Sequence, residues 1–380
     1  MAAAGSASEA PQPEAPQPEA PQPEVVFERR GRLGVVVLNR PRAVNALTAG
    51  MAAAMLDQLT EWAEDDAIET VLVCGAGERG LCAGGDIVAI YRDILDGGDA
   101  TARFWRTEYR LNSLISRYPK PYVAFMDGLV LGGGVGISAH GSHRVVTERT
   151  RTGMPETTIG FVPDVGGTLL LGTAPGEAGT HAALTGAHLD AADAIHLGLA
   201  DFFVPADRLE ALARALGAEP ADDAVARLAV VPPLSELEAE RGWIDEAYAC
   251  DDAEQIVRRL RALGVPAATA AAGAIEAKSP TSVKATLEAL RRARARGPRS
   301  TALEETLDEE YRVGVRLLAG HDFREGIRAQ VIDKDRDPHW APATLGEVRP
   351  EAVEALFAPL GERELGLADT VRQSLEKERV

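Results

Sequence analysis

The sequence predicts an α/β protein of buried short strands alternating with helices, followed by a mostly helical C-terminal part. Three observations carry this. Apolar runs of strand length recur at Gly34–Leu38, Val71–Gly75 and Tyr122–Leu131 without a polar alternation, as expected of strands covered on both faces. Between the first two lies a segment with Met51, Met55, Leu59 and Trp62 at helical spacing. From Asp207 onward the apolar pattern is helical, with segments at 207–216, 222–229, 234–248, 253–263, 281–296 and 303–318.

Taken in order, residues 1–24 repeat Pro-Gln-Pro-Glu from Pro11, Pro16 and Pro21 after an Ala/Ser-rich start. Such a composition cannot bury a core and reads as an extended, solvated tail. It lacks the basic start and apolar centre of a secretory signal, and its glutamates disfavour an organelle transit peptide. A catalytic core is expected over 25–205, beginning with Val25-Val26-Phe27 and a turn at Arg30-Gly31-Arg32. Asn39–Leu47 is a polar, basic turn, and Thr48 is placed to cap a helix over 49–64. Residues 77–86 form a glycine-rich loop, and 100–117 a helix leading into the Tyr122 strand. Helical pieces are expected at 168–172 and 182–199, with a short strand at 201–204. A helical region over 206–360 completes the fold, and the charged segment 361–380 is expected to fray.

The 380 residues carry a formal net charge of −18, which disfavours nucleic acid and anionic membranes as partners. No apolar run reaches the roughly 20 residues of a membrane helix. Cys74, Cys82 and Cys250 show no paired spacing, which suits a reducing cytoplasm rather than a disulfide framework.

Two pieces of the central stretch carry chemistry. Leu131-Gly132-Gly133-Gly134-Val135-Gly136 follows a strand and opens a helix, so its free amides and the helix dipole favour an anion. Met154-Pro155-Glu156 and Val162-Pro163-Asp164 bring two carboxylates eight residues apart in an apolar loop. An anion stabiliser beside carboxylates outlines an acyl-transfer or enolate-forming site.

Leu38-Asn39-Arg40-Pro41, Cys82-Ala83-Gly84-Gly85-Asp86, Gly132-Gly133-Gly134 and Met154-Pro155-Glu156 together resemble the crotonase (enoyl-CoA hydratase/isomerase) superfamily. Phe161–Gly167, Ser279–Lys284, Asp322–Ala329, Ile332–Asp335 and Pro338-His339-Trp340 are similar to its 3-hydroxyisobutyryl-CoA hydrolase branch. The resemblance spans about residues 25–360. It implies the crotonase-like spiral of ββα units and hydrolysis of a short 3-hydroxyacyl-CoA thioester, 3-hydroxyisobutyryl-CoA from valine breakdown. It further implies a trimer-based homo-oligomer and no cofactor or metal beyond the coenzyme A of the substrate. By motif position it assigns the two oxyanion amides to Cys82 and Gly133, and loss of one such donor typically costs about 2.7–4 kcal/mol. Glu156 becomes the reactive carboxylate, as general base or nucleophile. Asp164 becomes the partner of the substrate 3-hydroxyl, and Glu108, before Tyr109, belongs to the substrate site. Arg40, Arg42, Arg79 and Lys334 become coenzyme A ligands. Hydratases of the superfamily carry a second glutamate three residues after the oxyanion glycine; here that position is Gly136, which disfavours hydration.

Plainer readings compete. Gly134–Ala139 also fits a G-x-G-x-x-A dinucleotide fingerprint, but Glu148 comes too early for its acidic partner. Asp164 alone reads as a helix cap, and Asp86 as a residue that shapes its loop. His140 and His143 have a metal-like spacing with no cluster to complete it. Arg291, Arg292, Arg294 and Arg296 read as a solvated helix face. A hydratase or isomerase, or an acyl-CoA-binding protein without activity, remains the alternative.

Overall fold

The computed structural model describes residues 22–377; most of the Pro-Gln-Pro-Glu segment lies outside them. Among the described residues there are eight strands: β1 Val25–Arg30, β2 Leu33–Leu38, β3 Thr70–Gly75, β4 Tyr122–Met126, β5 Leu129–Leu131, β6 His143–Val146, β7 Arg151–Gly153 and β8 Phe202–Phe203. A six-stranded sheet runs in the order β1-β2-β3-β4-β6-β8, antiparallel only between β1 and β2. β5 and β7 form a separate parallel pair.

The continuous apolar runs have a simple cause. Strand side chains alternate between faces, and both faces of this sheet are covered. Leu33, Val35, Leu72, Val123, Phe125 and Val145 enter one core with Leu212, Leu216 and Val225. Val36, Leu38, Val71, Val73, Tyr122, Ala124, Met126 and Val146 enter the other. That second core includes Met51, Met55, Leu59 and Trp62 of α1 (Ala49–Glu64). Thr48 caps α1 as the sequence predicts, its hydroxyl accepting from Met51 N at 3.1 Å.

Further helices are α2 Ile87–Asp96, α3 Ala100–Ser116, α4 Gly133–Gly136 and α5 Gly167–Gly172. The single run expected over Tyr122–Leu131 is split, because Gly128 turns the chain at φ +65° between β4 and β5. This break positions the site. β5 pairs with β7 so that Leu131 lies opposite Gly153, and Gly132 N donates to Gly153 O. The glycine turn after β5 and the Met154–Glu156 segment after β7 therefore leave the pair side by side.

Two expectations are corrected. Residues 367–377, expected to fray, form a helix with buried Leu367 and Ala368, whose amides donate to Asp308. The arginines of the helix Pro280–Arg296 are not a solvated face. Arg291 and Arg294 both pair with the buried Glu177, at 2.8 and 2.6 Å, and Arg296 pairs with Glu309 at 2.6 Å. Glu177 also accepts from Thr180 Oγ1, so one carboxylate ties this helix to residues 177–180. Removing it leaves the half-buried Arg294 without a carboxylate partner and Arg291 with only the exposed Asp251. Glu177→Ala is expected to lower the unfolding free energy in urea by about 3 kcal/mol.

Candidate active site

A cavity of about 230 Å³ opens where the 83–85 loop, the glycine turn and the 155–164 segment meet. Its wall is mostly apolar: Ile87 and Ile90 of α2, Phe104 and Trp105 of α3, then Phe161 and Phe323. Phe161 stacks on Trp105 at 5.1 Å and on Phe323 at 4.6 Å between ring centroids. Three carboxylates interrupt this wall: Glu108, Glu156 and Asp164. All three are buried.

Glycine makes this crowding feasible. Gly132 has φ +48° and ψ −117°, a conformation open to glycine, and a Cβ there would lie 2.8 Å from Glu156 Oε1. A Cβ on Gly133 would lie 2.7 Å from Glu108 Oε1. The two glutamates thus abut adjacent positions of the turn. Asp164 Oδ2 accepts a 2.7 Å hydrogen bond from the Tyr109 hydroxyl. Glu156 Oε2 is buried with no protein partner.

Burial of like charges sets the electrostatics. Burial raises Glu156 well above the usual carboxylate range, and the charges of Asp164 and Glu310 add to it. Glu108 is raised by burial and by Asp164. Burial lifts Asp164 to about 7 against the opposing bond from Tyr109, and Glu310, behind the site, to about 8. A cluster poised near neutrality suits proton transfer.

The amide donors are partly those expected. Gly133 opens α4, and among the described residues its N–H has no acceptor. Cys82 is corrected: its N–H donates to Leu129 O at 3.1 Å, within the bridge that joins the loop to β5. Ala83 N likewise donates to Val44 O at 3.0 Å. Among the described residues the amides of Gly84 and Gly85, which line the cavity, also have no acceptor. Gly85 N lies 3.5 Å from where a Cβ of Gly133 would stand. The Cys82 thiol is pushed up to about 12 by burial and is not a nucleophile.

Of the four expected coenzyme A ligands, Arg40 is corrected. It pairs with Asp86 at 2.9 Å and Glu24 at 3.1 Å, and so shapes the loop. Asp86 also caps α2 through Ala89 N, the structural role expected of it. Arg79 is exposed but donates to Pro41 O and Arg42 O, both at 2.6 Å. Arg42 and Lys334 are exposed, and among the described residues their cationic groups have no partner. His140 and His143 serve different elements. His140 Nε2 donates to Val165 O at 2.7 Å, while His143 pairs with Asp222 at 2.9 Å.

Sequence reading missed Tyr109 as the partner of Asp164, the aromatic wall, Gln330 and Glu310. Trp105, Glu108 and Tyr109 share one face of α3, a spacing that could have signalled the first of these.

Gly136 is closely packed. A Cβ there would lie 2.6 Å from Val165 Cβ and 2.9 Å from Asn112 Nδ2, so no glutamate fits where the superfamily's hydratases carry their second one. The family model for enoyl-CoA hydratase/isomerase matches residues 33–357. The chain belongs to the enoyl-CoA hydratase/isomerase family. It is 40% identical to a mitochondrial 3-hydroxyisobutyryl-CoA hydrolase of Danio rerio, over 90% of this chain and 91% of that protein. The corresponding proteins of Rattus norvegicus and Homo sapiens are 40% and 37% identical, each over 90% of both chains. A crystal structure described as a carnitinyl-CoA dehydratase from Mycobacterium thermoresistibile superposes with a TM-score of 0.87 at 50% identity, over 90% of this chain and 98% of that one. An enoyl-CoA hydratase from Rhodobacter sphaeroides gives 0.85 at 41%, over 90% and 99%. These likenesses establish the crotonase fold. The cytoplasmic location expected from the cysteines is contradicted by the relatives, which are named as mitochondrial. A free thiol reports a reducing environment and does not say which compartment supplies it.

The raised carboxylates carry a stability signature. The folded state holds the Asp164 proton more tightly than the unfolded chain. That contribution is complete below the unfolded value of 3.8 and is lost as pH rises through about 7. Asp164→Asn keeps an acceptor for Tyr109 and removes the buried charge. Its Tm by scanning calorimetry is expected to exceed that of the wild type at pH 8, with the gap closing towards pH 4; a lower Tm at pH 8 contradicts this electrostatic reading.

Proposed function

We propose that this chain hydrolyses a short 3-hydroxyacyl-CoA thioester, 3-hydroxyisobutyryl-CoA, in valine breakdown. The observation that carries the reading is the pairing of Glu156 and Asp164 in one cavity with the Gly136 position sterically filled. The names of the curated relatives agree with it.

The thioester carbonyl lies between the Gly133 amide and those of Gly84 and Gly85. Water adds to the carbonyl carbon as Glu156 takes its proton, and the amides receive the oxyanion. Collapse breaks the C–S bond, and Glu156 returns the proton to the departing thiolate. In the covalent variant the Glu156 carboxylate attacks first and expels the coenzyme A thiolate, which takes a proton, and water then opens the mixed anhydride at the Glu156 carbonyl, releasing the acid. Single turnover in oxygen-18 water separates the two routes, because only the covalent one labels Glu156. Asp164, held by Tyr109, receives the 3-hydroxyl, and the aromatic wall takes the branched carbon chain. Arg42 and Lys334 meet the phosphates of coenzyme A. No metal or redox cofactor enters the proposal.

The dehydratase and hydratase names of the solved structures favour a second reading, reversible hydration of an enoyl-CoA. Thiol release from 3-hydroxyisobutyryl-CoA and hydration of crotonyl-CoA, followed in parallel, separate the two. Thiol release is expected to dominate and to fall about 10²–10⁴-fold in Glu156→Gln. Fast hydration without thiol release moves the chain to the second reading.

A further inference from the structure

Asp164 precedes a backbone turn that a β-branched residue adopts at a cost. Val165 has φ +51° and Gly166 φ +81°, and the left-handed region is strained for a β-branched residue such as valine. Such a conformation persists only when its surroundings impose it. Two groups do so here, the half-buried His140 and the buried Glu310. His140, lowered to about 4 by burial and therefore neutral, donates to Val165 O. Glu310, on the helix Ala302–Leu318, accepts from Gly166 N at 2.7 Å, Thr168 N at 3.0 Å and Thr168 Oγ1 at 2.6 Å.

We propose that Glu310 is a positioning residue: its carboxylate locks the Val165–Thr168 turn, fixes Asp164 at the cavity wall and thereby sets the preference for a hydroxyl at C3 of the acyl chain. Glu310 is not among the residues lining the cavity and acts through Asp164. The inference rests on the proposed role of Asp164 as hydroxyl ligand. It gives the C-terminal helices a part in specificity, because the residue that aims the ligand lies 146 positions after it in the chain.

The test is the ratio of kcat/KM for 3-hydroxyisobutyryl-CoA to that for isobutyryl-CoA, which lacks only the hydroxyl. It is measured on the full-length wild type, Asp164→Asn, Glu310→Gln, Thr168→Val and Thr168→Ser. Glu310→Gln disrupts one of the two acceptor oxygens and is expected to lower the ratio about tenfold, whatever common change it makes in the turnover of both substrates through Glu156. Thr168→Val, which removes only the hydroxyl donor, lowers it by less, and Thr168→Ser restores it. An unchanged ratio in Glu310→Gln, or an equal fall with both substrates, overturns the inference provided Asp164→Asn lowers the ratio. If Asp164→Asn leaves the ratio unchanged, the hydroxyl-ligand reading fails and takes the inference with it. Should Glu310→Gln not fold, Thr168→Val decides by the same criterion.

Discussion

Everything around the cavity depends on packing carboxylates against glycine. Glu156 and Glu108 press on Gly132 and Gly133 closely enough that a single Cβ at either position would collide with an oxygen. An isolated charge in such a place is strongly disfavoured. The protein meets this by raising the carboxyl groups towards neutrality and by giving Asp164 the Tyr109 hydroxyl. The same feature that strains the fold makes the groups useful, since a buried carboxyl whose pKa is raised holds a proton more readily and can both accept and return one. The backbone amides of Gly84, Gly85 and Gly133 supply the complementary partial positive charge without adding a cation to the pocket.

The wider architecture serves this arrangement. The β5–β7 pairing brings together two segments remote in sequence, one with the glycine turn and one with the buried Glu156. Helices from the C-terminal half close the site from outside. Phe323 completes the aromatic stack, Gln330 adds to the wall, and Glu310 holds the turn that carries Asp164. The C-terminal region is therefore part of the site and not an appendage.

Much of this was legible in the sequence, where a local signal existed. The strands and α1 follow from apolar runs and helical spacing, and Thr48 from capping chemistry. Glu156, Asp164, Glu108 and Gly133 were found because motifs mark them, and all four meet at the cavity. What failed depended on partners remote in sequence. A motif marks Cys82, but whether its amide is free depends on Leu129, which takes it. Arg40 looks like a phosphate ligand until Asp86 and Glu24 are seen to hold it. Glu310 and Tyr109 sit in ordinary helical sequence, and only the tertiary fold discloses what they hold. Gly136 was legible as an absence, yet its cause, the Val165 side chain, depends on a left-handed turn that nothing in the sequence announces.

The pH dependence of kcat/KM for thiol release from 3-hydroxyisobutyryl-CoA is the most direct measurement of whether buried, mutually repelling carboxylates run the reaction. It is compared between the wild type and Asp164→Asn. The wild type should show a rising limb well above the ordinary carboxylate range, belonging to the coupled cluster. In the variant the limb should move to lower pH, because removing the Asp164 charge removes one of the causes that raise Glu156. A profile that is flat through neutrality, or a limb that stays in place in the variant, would contradict it.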